Sequence, residues 1–408
     1  MERYSEYKDS GVQWLGEIPV HWKCVPLKRI CEMKSGNNLT SLDVLDKGEF
    51  PVYGANGLRG YYTQYNKEGK YILIGRQGAL AGNVHLVDGK FWATDHAVVT
   101  NITSEKVYVD YMSLALISMN LNQYAYDTAA QPGLAVSKII SFSTPLPPLS
   151  EQHSIVSYLD DKCEKIDKML EGKQKQIELL AEMKQRIIAD AVTHGLNPDV
   201  KMKATNIPWL PEIPEHWEVK PIRAILRENN EKTETGNEEL LSLSQYTGIS
   251  RKRDAGKTGM FEAESTIGYK KVHPGQFVMN IMLAWNGSYA VSGLEGIISP
   301  AYCVFDFISN DNKMYYNYLW RLSVYQGAFK TESRGIIDSR LRLYPNKFLP
   351  FPTICPPLDE QDSIVSYITD KTAKIDTLTG KLQQEIESIK EYKQRLISDV
   401  VTGQIKVC

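Results

Sequence analysis

The run PPLSEQHSIVSYLDDKCEKIDKML begins at Pro147, and PPLDEQDSIVSYITDKTAKIDTLT begins at Pro356. The two stand 209 residues apart. Their register holds without a gap through MKQRIIADAVT and YKQRLISDVVT, with just over half of the aligned positions identical. Chance does not give that agreement over six or more helical turns, so the chain carries an internal duplication. A second repeated block precedes each copy: WLGEIPVHWKCVPLKRI from Trp14 and WLPEIPEHWEVKPIRAI from Trp209, 195 residues apart. The order is tryptophan block, variable region, long helix, and then the same again. A period this long is not that of a solenoid, so the chain reads as two copies of a domain-plus-helix unit.

The helices are the clearest local feature. Pro147 and Pro148 stop what precedes; Ser150 is the expected N-cap, with Glu151 in the first turn. A heptad seam then runs Leu159, Ile166, Lys173, Leu180, Ile187, with Cys163, Leu170, Ile177, Lys184 and Ala191 as its partner row. The second copy gives Ile368, Ile375, Leu382, Ile389, Leu396 beside Thr372, Thr379, Ile386, Lys393 and Val400. An apolar repeat of this period, edged by Lys and Glu, predicts a coiled coil. Gly172 and Gly380 are expected weak points or bends. Two seams of equal length in one chain are expected to bury each other as an antiparallel pair; the plainer alternative packs each helix on its own domain.

Between the blocks, KYILIGRQGALAGNVHLVDGKFWATDHAVV alternates β-branched and aromatic residues with turn signals, as short strands do. GQFVMNIMLAW and SYAVSGLEGIISPAYCVFDF are the strand candidates of the second region. Beyond that strand character the two regions do not align, and their lengths differ: 133 residues separate Trp14 from Pro147, and 147 separate Trp209 from Pro356. A duplicated framework with diverged inserts suits the recognition of two different things. The fold class expected is α+β: two globular mixed α/β domains, 1–146 and 206–355, separated by two long helical regions, 147–205 and 356–408. These helices form an antiparallel coiled coil, and the whole is a pseudo-twofold internal repeat.

Composition narrows the function classes. Hydrophobic residues at 42% and charged residues at 24% are those of a soluble globular protein. No signal peptide or membrane span is expected, and FVMNIMLAW is too short to be one. Six scattered cysteines without C-x-x-C spacing suit a reducing cytoplasm and argue against a zinc site. A net charge of −2 announces no global basic field, though an acidic helix pair can offset local basic patches.

Catalytic motifs are missing. AGKT at Ala255–Thr258 lacks the upstream glycine of a phosphate loop, since Arg251 stands in its place. GANGLRG at Gly54–Gly60 has the wrong spacing for a dinucleotide fingerprint and reads as turns between strands. The NPD at Asn197–Asp199 is not the motif with which an amino-methyltransferase holds its target base. His21 and His216 are expected to be hydrogen-bonded structural residues. The variable regions instead hold basic and amide side chains on glycine-rich turns. IGRQGALAGN presents Arg76, Gln77 and Asn83, suited to guanine and adenine edges. SQYTGISRKRDAGKT adds Gln245, Tyr246, Arg251, Lys252, Arg253 and Lys257, suited to phosphates, and RGIIDSRLR adds Arg334, Arg340 and Arg342. Taken singly, each is a solvated surface residue; taken together, the two regions point to nucleic acid.

This pattern resembles the specificity subunits of type I restriction–modification systems. The signature PLPPLxEQxxIV…KIDxL is matched at Pro145–Leu170 and again at Pro356–Leu378. GEIPVHW, PEIPEHW, PVYGANGLRGY and GQFVMNIMLAWNGSYAVS are similar to family sequences, and Cys355, where the first copy has Leu146, is a minor departure. The resemblance covers essentially the whole chain. It implies two target-recognition domains on double-stranded DNA, reading a bipartite asymmetric site, in a subunit that is not itself catalytic. It implies two modification subunits, with S-adenosylmethionine chemistry for adenine-N6 methylation, docked on the helices and recognition domains. Restriction subunits that use ATP and Mg would join them, no cofactor would sit on this chain, and no membrane would be involved. Three rivals make different predictions. A coiled-coil scaffold whose domains bind proteins predicts no salt-sensitive DNA binding. A methyltransferase of unusual sequence predicts S-adenosylmethionine binding by the chain alone. A third keeps the DNA reading but places the subunit in a methylation-only or fused system.

Overall fold

A computed structural model of the chain describes residues 2–78, 80–128, 131–245, 247–254, 265–335 and 341–407. It divides into two compact units: Met1–Lys175 with Leu382–Cys408, and Gln176–Lys381. The first long helix is Leu149–His194 and the second Leu358–Val401. Each unit therefore owns the start of one helix and the end of the other.

Both helices run unbroken through Gly172 and Gly380, where a Cβ would meet nothing within 4 Å. No bend is needed there, because an exposed helical glycine costs only about 1 kcal/mol against alanine. The first helix opens at Leu149, so Ser150 lies inside its first turn and is not the N-cap. Gln152 instead ties the helix start to the chain around it: it is buried, and its amide donates to Pro147 O at 2.9 Å and Lys106 O at 2.9 Å while accepting from Tyr108 N at 2.7 Å. Gln361 does the same in the second unit, donating to Pro356 O and Asp311 and accepting from Asn312 N at 2.8 Å.

The repeated tryptophan block explains the repeated glutamate. Trp22, fully buried, donates its indole N–H to Glu151 at 2.8 Å, and His21 Nε2 lies 2.7 Å from the same carboxylate. Trp217 and His216 reach Glu360 at 3.0 and 2.8 Å. Two short strands brace each block, Tyr7–Asp9 with Glu17–Pro19 and Met202–Ile207 with Leu210–Pro214.

Within each unit the two helix segments pair antiparallel. In the first unit Lys393 meets Asp167 at 2.6 Å and Lys173 meets Glu385; in the second, Lys184 meets Asp376 at 2.7 Å. The lysines that interrupt the apolar seam thus each find a carboxylate on the opposite helix. Of the seam residues, Leu159, Ile166, Ile368, Ile375, Leu382, Ile386 and Leu396 are buried, and Leu170, Ile177, Leu180, Ile187 and Ile389 are half-buried. The helices also pack on the domains. Ile155, Leu159, Leu396 and Val400 join the first unit's core around Trp22 and Tyr111; Ile188, Val192, Ile364 and Ile368 join the second around Trp217 and Trp320.

Candidate nucleic-acid interface

The first unit's domain holds an antiparallel sheet of Cys31–Ser35, Ala97–Ile102, Tyr71–Gly75 and Val84–Val87. A second sheet contains Gly57–Tyr62, Phe50–Gly54, Lys90–Ala93 and Lys67–Glu68. Because Phe50–Gly54 and Lys90–Ala93 run parallel, both finish at the same side. From Ala93 the chain turns directly into Ala97, so the ends of both sheets collect together. That end carries Ser35, the 55–56 turn, the 76–83 loop and Asp95–His96.

The loop is closed by its own backbone. Gly75 N–H donates to Asn83 O, and Gly82 N–H to Gly75 O, both at 2.8 Å. Arg76 N–H donates to His96 O at 2.9 Å, and Leu134 N–H to Arg76 O at 2.8 Å. A Cβ on Gly75 would stand 2.5 Å from Ala55 O, which is why a glycine is required between the hairpin turn and the loop. Arg76 Nη1 donates to Ser35 Oγ at 3.2 Å, Gln77 bridges Gly133, and Asn122 Nδ2 donates to Asn83 Oδ1 at 3.4 Å. Arg76, Gln77 and Asn83 are therefore brought onto one loop.

The second unit repeats this construction with other side chains. Its sheet is Leu226–Asn229, Tyr302–Phe307, Phe277–Asn280 and Tyr289–Val291. Asn280 N–H donates to Ser288 O at 2.9 Å and Leu343 N–H to Ile281 O at 2.9 Å, the counterparts of the Gly75 and Leu134 bonds. The loop so closed is IMLAWNGS, 281–288. The stretch GQFVMNIMLAW is thus a strand only as far as Asn280; beyond it come a turn and the 3-10 segment Ala284–Asn286. Trp285 Nε1 donates to Met282 O at 3.1 Å, and Lys330 Nζ lies 5.0 Å from the Trp285 ring centre. Leu283 is exposed at the loop tip.

Of the basic and amide residues expected here, Gln245, Arg334 and Arg342 gather at this loop. Arg334 and Arg342 exchange backbone hydrogen bonds of 2.9 Å one residue before Leu343. Arg321 donates to Gln245 O and, at 3.1 Å, to Tyr289 O beside the loop. Burial pushes the Arg321 guanidinium below its ordinary pKa. Arg251, Lys252 and Arg253 do not join them. Gln245 follows Leu241–Ser244 at the tip of a hairpin whose far end pairs Leu241 with Arg251. Arg253 lies 3.3 Å from Glu239, at the rim of a hollow lined also by Glu238, Lys271, His273 and Glu295. Tyr246, Lys257, Arg340 and the AGKT stretch lie outside the described residues.

The surroundings offer little covalent chemistry. Burial pushes the thiols of Cys31 and Cys303 up to about 12 and about 11, far from the range of a nucleophilic thiolate. Burial holds the His85 imidazole below its usual value. Among the described residues no cluster of three or more His, Cys, Asp or Glu is arranged to hold a metal ion, and no helix is long and apolar enough to cross a membrane.

Comparison with known proteins fits this architecture. Residues 19–179 match the type I restriction modification DNA specificity domain. The chain is 37% identical over 163 residues to the EcoprrI specificity subunit of Escherichia coli, covering 39% of this chain and 40% of that one. It therefore spans about two fifths of the length of that relative. Against the putative specificity subunit S.HindORF215P of Haemophilus influenzae it is 24% identical over 394 residues, covering 92% of both. A solved structure described as the basis of complex assembly and conformational transition of the type I R-M system shares the fold, with TM-score 0.65 and 14% identity over 95% of this chain and 99% of that chain. A repeated helix start and a repeated tryptophan block thus accompany a type I restriction modification DNA specificity domain over residues 19–179, and along its length the chain is similar to type I specificity subunits.

Proposed function

We propose that this chain is the non-catalytic, DNA-reading member of a type I assembly, and that each unit reads one half of a bipartite asymmetric site. The observation that carries this is the pair of equivalent loops, 76–83 and 281–288, closed by matching backbone bonds and filled with different chemistry. One frame with two reading surfaces is what an asymmetric site needs. Arg and Gln on the first loop suit purine edges in a major groove, and the arginines beside the second suit phosphates. The helix pair sets the separation of the half-sites and docks two modification subunits. S-adenosylmethionine, ATP and Mg belong to the modification and restriction subunits, and the assembly works on DNA in the cytoplasm.

Mapping methylated adenines in host DNA with and without the gene tests the reading: a two-part motif should vanish on deletion. Inserting four residues between Leu180 and Lys184 sharpens it. The insertion lengthens the helix by ~6 Å, or roughly two base-pair steps of ~3.4 Å. Both half-sites should persist while the unread spacer grows by one or two base pairs, because repacking of the shifted seam absorbs part of the length. An unchanged spacer at full activity would mean that the helices do not set the distance.

A further inference from the structure

The hairpin Phe50–Gly54/Gly57–Tyr62 is irregular at one place. Val52 pairs with Gly60 and Tyr53 with Leu58, so Arg59 has no opposite number and is the extra residue of a β-bulge. A bulge re-aims the side chain of its unpaired residue. The partner strand makes room for it. A Cβ built on Gly54 would stand 2.6 Å from Arg59 Cδ and 3.3 Å from Cγ, so the arginine stem lies in the space that this glycine leaves. Arg59 is exposed, and among the described residues no side chain or backbone group pairs with its guanidinium.

Its position matters as much as its freedom. Ala55, next to Gly54, approaches Gly75 at the root of the 76–83 loop, and Gly57 lies against the His85 ring just beyond the other root. Arg59 therefore stands at the same end of the domain as Arg76 and Gln77. Among the described residues of the second unit, the hairpin Leu241–Ser244/Gly248–Arg251 carries no such residue: it pairs regularly, and Ser250 simply faces Ser242.

A held stem with a free fork is the arrangement that bidentate recognition favours, since less side-chain freedom is lost on contact. A phosphate alone needs only a point charge, which a mobile lysine supplies. We propose that Arg59 reads a guanine, through O6 and N7, in the half-site of the first unit. The inference rests on the reading of this chain as a DNA-recognition subunit.

The test maps methylated motifs in cells carrying, at the native locus, the natural chain, Arg59→Ala, Arg59→Lys or Gly54→Ala. Guanine preference at one position of one half-site should fall roughly tenfold or more in both arginine variants, with the other half-site unchanged. Gly54→Ala keeps the charge but displaces the stem, and should relax the same position. Should Gly54→Ala not accumulate as folded protein, Arg59→Lys decides alone, because the residue is exposed. An unaltered motif in Arg59→Ala overturns the proposal. So does an even loss across all sites in Arg59→Ala that Arg59→Lys restores, the mark of a phosphate contact. A natural motif without guanine overturns it as well. If deletion of the gene removes no motif at all, the underlying DNA reading has failed, and that outcome appears before any variant is compared.

Discussion

In the first unit Trp22 donates to Glu151 and Tyr111 Oη donates to Val401 O at 3.2 Å; in the second, Trp217 donates to Glu360 and Tyr315 Oη to Val192 O at 2.8 Å. Each helix ends in a glycine of positive φ, Gly195 and Gly403, whose missing Cβ leaves room for that same tryptophan. Only a residue without a Cβ closes a helix in this conformation against a buried indole. At the loop ends the likeness stops. Arg76, Gln77 and Asn83 occupy places held by Ile281, Met282 and Ser288, and among the described residues the hairpin Leu241–Ser244/Gly248–Arg251 shows no bulge like that at Arg59. Where a unit grips its helices, buried donors and acceptors must all be matched, and few residue types do that. Where a unit meets solvent, only the backbone bonds are fixed, and side chains are free to diverge.

The largest effect expected from this comparison is on the grip. Trp22→Ala and Trp217→Ala each remove a fully buried indole and one of the donors to a carboxylate, and each should cost ~3–5 kcal/mol. Hydrogen exchange resolved along the chain should show the loss confined to the unit that carries the change, and of similar size in both. A loss in one unit only would mean that the two grips, though alike in geometry, are not alike in energy.

Much of this grip was legible in the sequence. Identity across 209 residues picked out Glu151 with Glu360, and the shorter offset of 195 picked out Trp22 with Trp217. The heptad seam gave the antiparallel helix pairing, while the acidic partners of its lysines came only with the structure. The role of Gln152 was hidden, because only the positions of the Pro147 and Lys106 carbonyls show that its side chain reaches them. The kinship of the two loops was also hidden. It resides in backbone bonds such as Leu134 N–H to Arg76 O, which leave no trace in residue type. Apolar residues 281–285 extended a strand pattern that a turn in fact ends. Gln245 and Arg251–Arg253 are neighbours in sequence, yet a hairpin of four paired positions at ~3.3 Å each separates them by ~13 Å.

That separation gives the next contrast. Arg76→Ala or Gln77→Ala should change preference at one base position, by ~1–3 kcal/mol, without moving the rest of the motif. Replacing Arg251, Lys252 and Arg253 together with alanine should instead weaken binding by the assembled complex evenly across sequences and flatten its salt dependence. The flattening should fall short of three charges, because Arg253 already has Glu239 beside it. A salt slope identical to that of the natural chain would take this end of the second domain off the DNA, leaving, among the described candidates, Gln245, Arg334 and Arg342 beside the 281–288 loop.

The smallest effects lie in the seam, and they test how equal the two halves are. Lys184–Asp376 and Lys393–Asp167 occupy equivalent places and are similarly half-exposed, so Lys184→Met and Lys393→Met should each shift stability by ~0–1 kcal/mol and by matching amounts. Lys173–Glu385 has no such twin, since the repeat carries Leu382 where the first helix has Lys173, and Gln176 where the second has Glu385. Lys173→Leu should therefore change stability by less than about 1 kcal/mol, while removing part of its dependence on salt. Thermal unfolding at low and high ionic strength reads both quantities. The unequal pair forms only when the first helix faces the second: a first helix against its own copy would set Lys173 opposite Gln176, and a second against its own copy would set Leu382 opposite Glu385. A salt response unchanged by Lys173→Leu would remove this preference for unlike partners and leave the two helices interchangeable at their centre.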